Sequence, residues 1–384
     1  MLLNKIYYPT VLLLALGLLG AWATNPQPVD PCEDEIATEG GRSPSLSAGE
    51  RVLVTGGCGF IGSHLVDKLL SLGYLVTVLD NLETGNITYL DLGNPNLTVI
   101  VGDVMDRRAV RLALSGVTGV FHLAAASKVL PSLKDPTMAT FNVEQNAMGT
   151  ALLLEEVAQS NLAIRKVVYA ASSTFYGNQN LPYSEDLPFQ PSSPYSAAKY
   201  MGELLMDTYD HVFNVPTVSL RFFMVYGPRQ PEQGAYAIVT GKFARQQRAG
   251  LPLTIEGDGE QYRDFVHVQD VTDACILAYE NEAVRKQVIN IGSGKKVSVM
   301  QLANLLSTNH VYLQPRLHDL KGTLADTCKA KRLLHFQAKK DFVREMTQFD
   351  SHNSSALFWN SLPQYFSCEN LQNLPGQQAQ VICA

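Results

Sequence analysis

Short apolar runs alternate with longer stretches of helical periodicity through the first half of the chain. Val52–Thr55, Leu75–Leu79, Thr98–Val101, Val120–Leu123, Val167–Ala170 and Thr217–Leu220 are each four or five residues long and rich in Val and Leu. Continuous runs of that kind predict strands buried on both faces. Between them, Ser63–Leu72, Asn142–Gln159 and Ala197–His211 carry apolar residues at helical spacing. Strands that alternate with helices predict a parallel sheet covered on both sides. The right-handed crossover rule makes it a doubly wound, Rossmann-type α/β domain.

After Arg221 the rhythm changes. Pro, Gly and Gln cluster at Gly227–Pro231, a helix is predicted over Ala235–Arg248, and short strands follow around Gly257-Asp-Gly259. This pattern predicts a smaller C-terminal substrate-binding lobe, mainly residues 222–345, beside a dinucleotide-binding part over 51–221. From 346 to 384 periodicity gives way to Asn, Gln and Ser, which predicts a tail.

The N-terminus reads differently again. Lys5 precedes the apolar run Val11–Gly20, which ends in Ala21-Trp-Ala23. A basic start, a short apolar run and small residues at a cleavage position predict a signal peptide or signal-anchor over 1–23. Residues 24–49, rich in Pro, Gly, Ser and acids, read as a linker. That leader implies a secretory-route, lumenal location, with a membrane anchor if the run is retained.

Composition narrows the partners. The net charge of −6 comes with no basic block, which argues against nucleic acid as a ligand. None of the six cysteines forms a CxxC pair, and no metal site is expected. Cys58, Cys275 and Cys328 read as small buried residues, whereas a disulfide is open to Cys32, Cys368 and Cys383 in the terminal segments.

Two motifs carry chemistry. Gly56, Gly59 and Gly62 follow the first strand directly, with Phe60 and Ile61 opening a helix. Such a turn brings backbone close to a pyrophosphate at a helix N-terminus. Asp80 ends the second strand 18 residues after Gly62, with Asn81 beside it. A carboxylate there accepts ribose hydroxyls and repels a 2′-phosphate, so NAD is expected rather than NADP. Asp103 and Val104, after the third strand, are placed for the adenine, or for a simple loop cap. His122 reads as a packed histidine. The second motif, Tyr195-Ser-Ala-Ala-Lys199, puts a phenol and an ammonium on one helix face. A lysine one turn away favours phenolate in a group whose free pKa is ~10. Ser172, 23 residues upstream of Tyr195 at the end of the fifth strand, supplies a hydroxyl for the reacting oxygen. Hydride chemistry on a hydroxyl or carbonyl follows. Arg229 and Arg263 are candidates for binding phosphate.

Taken together these segments resemble the extended short-chain dehydrogenase/reductase family, in its NAD-dependent nucleotide-sugar epimerase and dehydratase branch. The resemblance spans about 51–345 and rests on Thr55–Gly62, Asp80–Gly85, Asn146–Thr150, Pro194–Lys199, Tyr226–Gln230 and Gly257–Val268. It implies a nucleotide-sugar substrate, a homodimer built through a four-helix bundle, Arg263 on the nucleotide diphosphate, and Ser173 near the sugar. It also implies transient oxidation at C4, because Ser173 and Thr174 stand where dehydratases of the family carry Asp and Glu. A 4-epimerase is therefore expected, ahead of a 4,6-dehydratase, a decarboxylase or a sterol dehydrogenase. One departure is Met224, where the family usually has an asparagine that touches substrate.

Overall fold

The computed structural model describes residue 32 and residues 49–234, 236–316, 320–352 and 379–384. The signal or anchor expected over 1–23 lies outside these residues, as does nearly all of the expected linker. The chain divides into two units, Met1–Ile36 and Ala37–Ala384; the main sheet, its helices and the smaller lobe all belong to the second.

The six predicted strands form as β1 (Arg51–Thr55), β2 (Leu75–Asp80), β3 (Leu97–Val101), β4 (Gly119–His122), β5 (Lys166–Ser172) and β6 (Thr217–Phe222). They lie in the order β6-β5-β4-β1-β2-β3, with Gln287–Ile291 added beside β6 and Gln380–Cys383 beside β3. Every pairing in this sheet is parallel. The continuous apolar runs are explained by two helical layers. Helix α1 (Phe60–Ser71) packs on one face with Val268–Glu280. Gly149–Gln159 and Pro194–Phe213 pack together on the other face. Val52, Val54, Val76 and Val78 point into the first core, and Leu53, Leu79, Val120 and Val167 into the second.

The smaller lobe has its own core of Tyr226, Phe243, Leu253, Ile255, Phe265 and Leu302. Its predicted helix begins later than expected, at Val239, and runs to Arg248. The expectation of a tail over 346–384 is corrected at both ends. A helix runs Phe342–His352, and Gln380–Cys383 completes the main sheet through pairs such as Val381 with Val99. The tail's polar composition hid a four-residue strand. Cys328, expected to be a buried thiol, is disulfide-bonded, as are Cys32 and Cys383. It sits half-buried at the start of the helix Cys328–Leu334, not in the core. Cys58 and Cys275 are buried thiols as expected, and Cys368 lies outside the described residues.

One buried ion pair ties the second layer to the sheet. Arg221 on β6 donates to Glu203 of the helix Pro194–Phe213 at 2.9 and 2.6 Å, and its guanidinium lies 3.6 Å from the centre of the Phe175 ring. Arg221 is 3% exposed, so neither charge can fall back on water. Removing one partner strands the other. Arg221→Met is expected to destabilise the fold by roughly 3–5 kcal/mol, read as a lower urea midpoint.

Candidate active site

At the C-terminal ends of the strands lies a cleft of about 970 Å³. Its floor begins with the glycine turn. Gly56 has φ +69°, and a Cβ at Gly62 would lie 2.0 Å from the Gly56 carbonyl oxygen, so only glycine closes this turn. Gly59 caps α1 without a side-chain hydrogen bond, which leaves the helix's first N–H groups directed at the cleft. Asp80 accepts the N–H of Cys58 at 2.9 Å and that of Leu82 at 2.8 Å. Burial raises its pKa, and the bonds from Leu82 and Cys58 oppose that shift. The turn and the carboxylate together fit an adenosine diphosphate. Gly56, Gly59, Phe60, Ile61, Gly62, Asp80, Asn81, Asp103 and Val104 all line the cleft. Asp103 also caps its own loop at Met105 N–H, and accepts from Asn81 at 2.8 Å.

The loop after β4 forms the next wall. Its position is set by Asn146, whose side chain accepts the Ala126 N–H at 2.9 Å and donates to the Ala126 carbonyl. Asn146 can do this because its helix passes through a wide turn at Val143–Met148, inside the region expected as one helix. Thr150, one turn on, bonds His122 Nε2 at 2.9 Å, while Thr55 bonds His122 Nδ1 at 2.7 Å. Burial drives the His122 pKa down to about 3, so this histidine is neutral and structural.

Ser172, Tyr195 and Lys199 meet on the same wall. Ser193 caps the helix Pro194–Phe213, and Pro194 stands in its first turn. Tyr195 and Lys199 therefore sit near its N-terminus, buried and facing the cleft. The Ser172 hydroxyl caps the short turn Ser173–Phe175, accepting from Thr174 N–H. Burial raises the Tyr195 pKa, and hydrogen bonds from Ser127 and Ser172 pull it back. Burial lowers Lys199 to about 7, against the attraction of Glu203. The set holds a phenol with two serine hydroxyls on it, and a lysine lining the same cleft. Such a set can take a proton from an alcohol and return it.

Residues 52–292 match the model of the NAD dependent epimerase/dehydratase family. The chain belongs to that family. A putative UDP-glucose 4-epimerase of Methanocaldococcus jannaschii is 34% identical over 73% of this chain and 92% of its own length. A UDP-glucose 4-epimerase of Mycolicibacterium smegmatis is 35% identical over 75% of this chain and 93% of its own. Among solved structures, a UDP-N-acetylglucosamine 4-epimerase from Methanobrevibacter ruminantium superposes with a TM-score of 0.74 at 35% identity, covering 80% of this chain and 99% of that one. The expected secretory-route location is corrected by these comparisons. The two relatives just named are an archaeal and a bacterial epimerase. Among the described residues, which leave out 1–23, no helix is long and apolar enough to cross a membrane.

The epimerase/dehydratase cleft departs from expectation at one arginine. Arg263 lines it, donating to the carbonyls of Tyr262 and Leu320 at 2.9 and 3.0 Å. Arg229 does not line it. It has φ +65° and pairs with Asp67 of α1 at 2.8 Å, so it joins the lobe to the cofactor-binding helix. The turn at Gly227–Pro231 aims its side chain backwards, which its sequence motif could not reveal. Ser173 is in place. Sequence reasoning missed Ser127, Tyr236 and Arg316, all of which line the cleft. Ser127 lies five residues past His122 in a loop without a motif. Tyr236 is pushed up to about 12 by burial, Glu83 and Tyr195, which places it at the cleft's reactive end. Arg316 pairs with Glu256 at 2.8 Å from a segment with no regular structure.

Gly62→Ala should push a methyl into the Gly56 carbonyl. A cost of ~1–3 kcal/mol in stability is expected, with NAD affinity weakened at least about tenfold as the turn opens; calorimetric titration of NAD into the variant measures the second effect.

Proposed function

We propose that this chain is a NAD-dependent UDP-sugar 4-epimerase, and that Ser172, Tyr195 and Lys199 perform its proton chemistry. The observation that carries this reading is the convergence of those three side chains on one wall of a cleft whose other end fits an adenosine diphosphate. NAD, when bound there, supplies the acceptor and later the donor of a hydride. Gly56, Gly59, Phe60, Ile61, Gly62, Asp80 and Asn81 would hold its adenosine and phosphates, with Asp103 and Val104 at the adenine.

Tyr195 takes the proton of the sugar 4-hydroxyl as C4 is oxidised, and returns it when C4 is reduced from its other face. The Ser172 hydroxyl accepts the Thr174 N–H and lies 2.9 Å from the Thr174 hydroxyl; with Thr174 as donor in that pair, the Ser172 proton serves the reacting oxygen. Lys199 favours the tyrosine's phenolate. Arg263 suits the nucleotide diphosphate, and Ser173 the sugar. Ser173 and Thr174 offer hydroxyls where water elimination would need acids, which favours epimerisation over dehydration. Met224 lines the same cleft and cannot donate a hydrogen bond to the sugar, so either another group replaces the family's asparagine or the sugar differs from that of UDP-glucose.

Incubating the NAD-loaded chain with a panel of UDP-sugars, followed by proton NMR of the anomeric and C4 signals, tests this. Interconversion of 4-epimers is expected, and Tyr195→Phe should slow it ~10²–10⁴-fold. A 4-keto-6-deoxy or decarboxylated product would reject the epimerase reading.

The homodimer also belongs to this proposal. Met148, Met201 and Leu204 are 47%, 45% and 49% exposed, and they line one shallow apolar groove with Val143, Ala151 and Leu205. Such a face on two adjacent helices suits a two-fold contact with a second copy. Leu204→Glu is expected to weaken association at least ~30-fold, as for a central apolar contact; light scattering across a dilution series would show the shift to monomer mass.

A further inference from the structure

One buried side chain in contact with Lys199 has no part in the mechanism above. Tyr169, on β5, has no exposed surface. Lys199 Nζ lies 4.2 Å from the centre of its ring. Its hydroxyl donates to the Lys199 backbone carbonyl at 3.1 Å. A single tyrosine thus contacts both the ammonium and the helical turn that carries it. The ring is itself held fast. His122 stacks on it at 5.7 Å between centroids, and His122 is anchored by Thr55 and Thr150. Across the helix, a Cβ at position 202 would lie 2.2 Å from the Tyr169 hydroxyl, so Gly202 leaves the space that this hydroxyl fills.

We propose that Tyr169 is a positioning residue for Lys199, its ring face supporting the ammonium and its hydroxyl fixing the helical turn. The proposal rests on the reading of Tyr195 and Lys199 as the proton-handling pair.

The groups that face Lys199 explain why a ring matters. Glu203 acts on it from its own helix, Tyr169 meets it from β5, and His122 feels its charge from β4. Glu203 is already engaged by Arg221 through two hydrogen bonds. His122 is neutral and contributes no charge at working pH. A buried ammonium without a carboxylate in contact is costly. The negative face of an aromatic ring offsets part of that cost. Losing the ring face makes the ammonium less favourable, so Lys199 gives up its proton at lower pH.

The test uses the full chain loaded with NAD, the UDP-sugar epimerised best, and kcat, KM and melting temperature measured across pH. Tyr169→Phe keeps the ring face and loses the bond to the Lys199 carbonyl: it is expected to keep the wild-type pH profile while kcat and melting temperature fall, and an unchanged kcat and melting temperature would overturn the hydroxyl's role. Tyr169→Leu should move the limb belonging to Lys199 to lower pH by about one unit and reduce kcat near neutrality about tenfold, with KM unchanged. Tyr169→Met fills the space without a ring, and is expected to match the leucine variant if that one folds poorly. A wild-type limb in Tyr169→Leu or Tyr169→Met, even with a lower melting temperature, would overturn the proposal and leave Tyr169 as packing. Equal shifts in the phenylalanine and leucine variants would overturn it too, since the ring face would then not be the cause. Tyr195→Phe and Lys199→Met run alongside. Activity retained in both would reject the proton-handling pair itself, and the role of Tyr169 with it.

Discussion

The contact between β5 and the helix Pro194–Phe213 is the constraint on which the reactive end of the cleft depends. Gly202 lets this helix approach until the Tyr169 hydroxyl fills the place of a side chain. At that separation Tyr195 reaches Ser172 at the end of the strand. A larger residue at 202 would lift the helix and separate the hydroxyls from the phenol. The placing of Tyr195 against Ser172 therefore follows from a close approach between a strand and a helix, fixed in the core. Catalytic geometry built on such elements is more precise than geometry built on loops.

Burial has a second consequence for the same helix. It brings Lys199 and Glu203 into the interior one turn apart, and Glu203 gives its hydrogen bonds to Arg221. Arg221 in turn lies over Phe175, in the short turn that Ser172 caps. The ion pair is thus linked to Ser172 through Phe175 and its turn. Lys199 is left with an aromatic face and a pKa lowered to about 7.

Much of this was legible in the sequence, because the signals were local. The six strands, α1 and the helix of Tyr195 each announce themselves by a period or a cap within one element. The glycine turn and Asp80 were readable because the spacing of a βαβ unit is short. The contacts that failed to appear are those between distant segments. Arg229 looks like Arg263 in the sequence, yet a left-handed backbone at 229 sends it to Asp67. Ser127 and Arg316 sit in segments without periodicity. The Asn146 clamp on Ala126 needed a wide helical turn that no hydrophobic pattern encodes. The strand Gln380–Cys383 was hidden because four residues in a polar tail carry no period, and only the open edge of β3 makes them a strand.

That last strand bears on the cofactor end of the cleft. It pairs with β3 along Thr98–Val101, and Ala384 N–H bonds the Val101 carbonyl, next to Gly102 and Asp103 on the cleft wall. An edge strand with unpaired backbone groups is open to other chains and frays readily. Covering it turns β3 into an interior strand and stiffens the loop that carries Asp103. Residues 379–384 lie beyond the segment that matches the family. The two ends of the cleft therefore have different origins in the chain. The end that holds Ser172, Tyr195 and the loop of Ser127 lies within the segment that matches the family, whereas the adenine end is braced by a segment outside it.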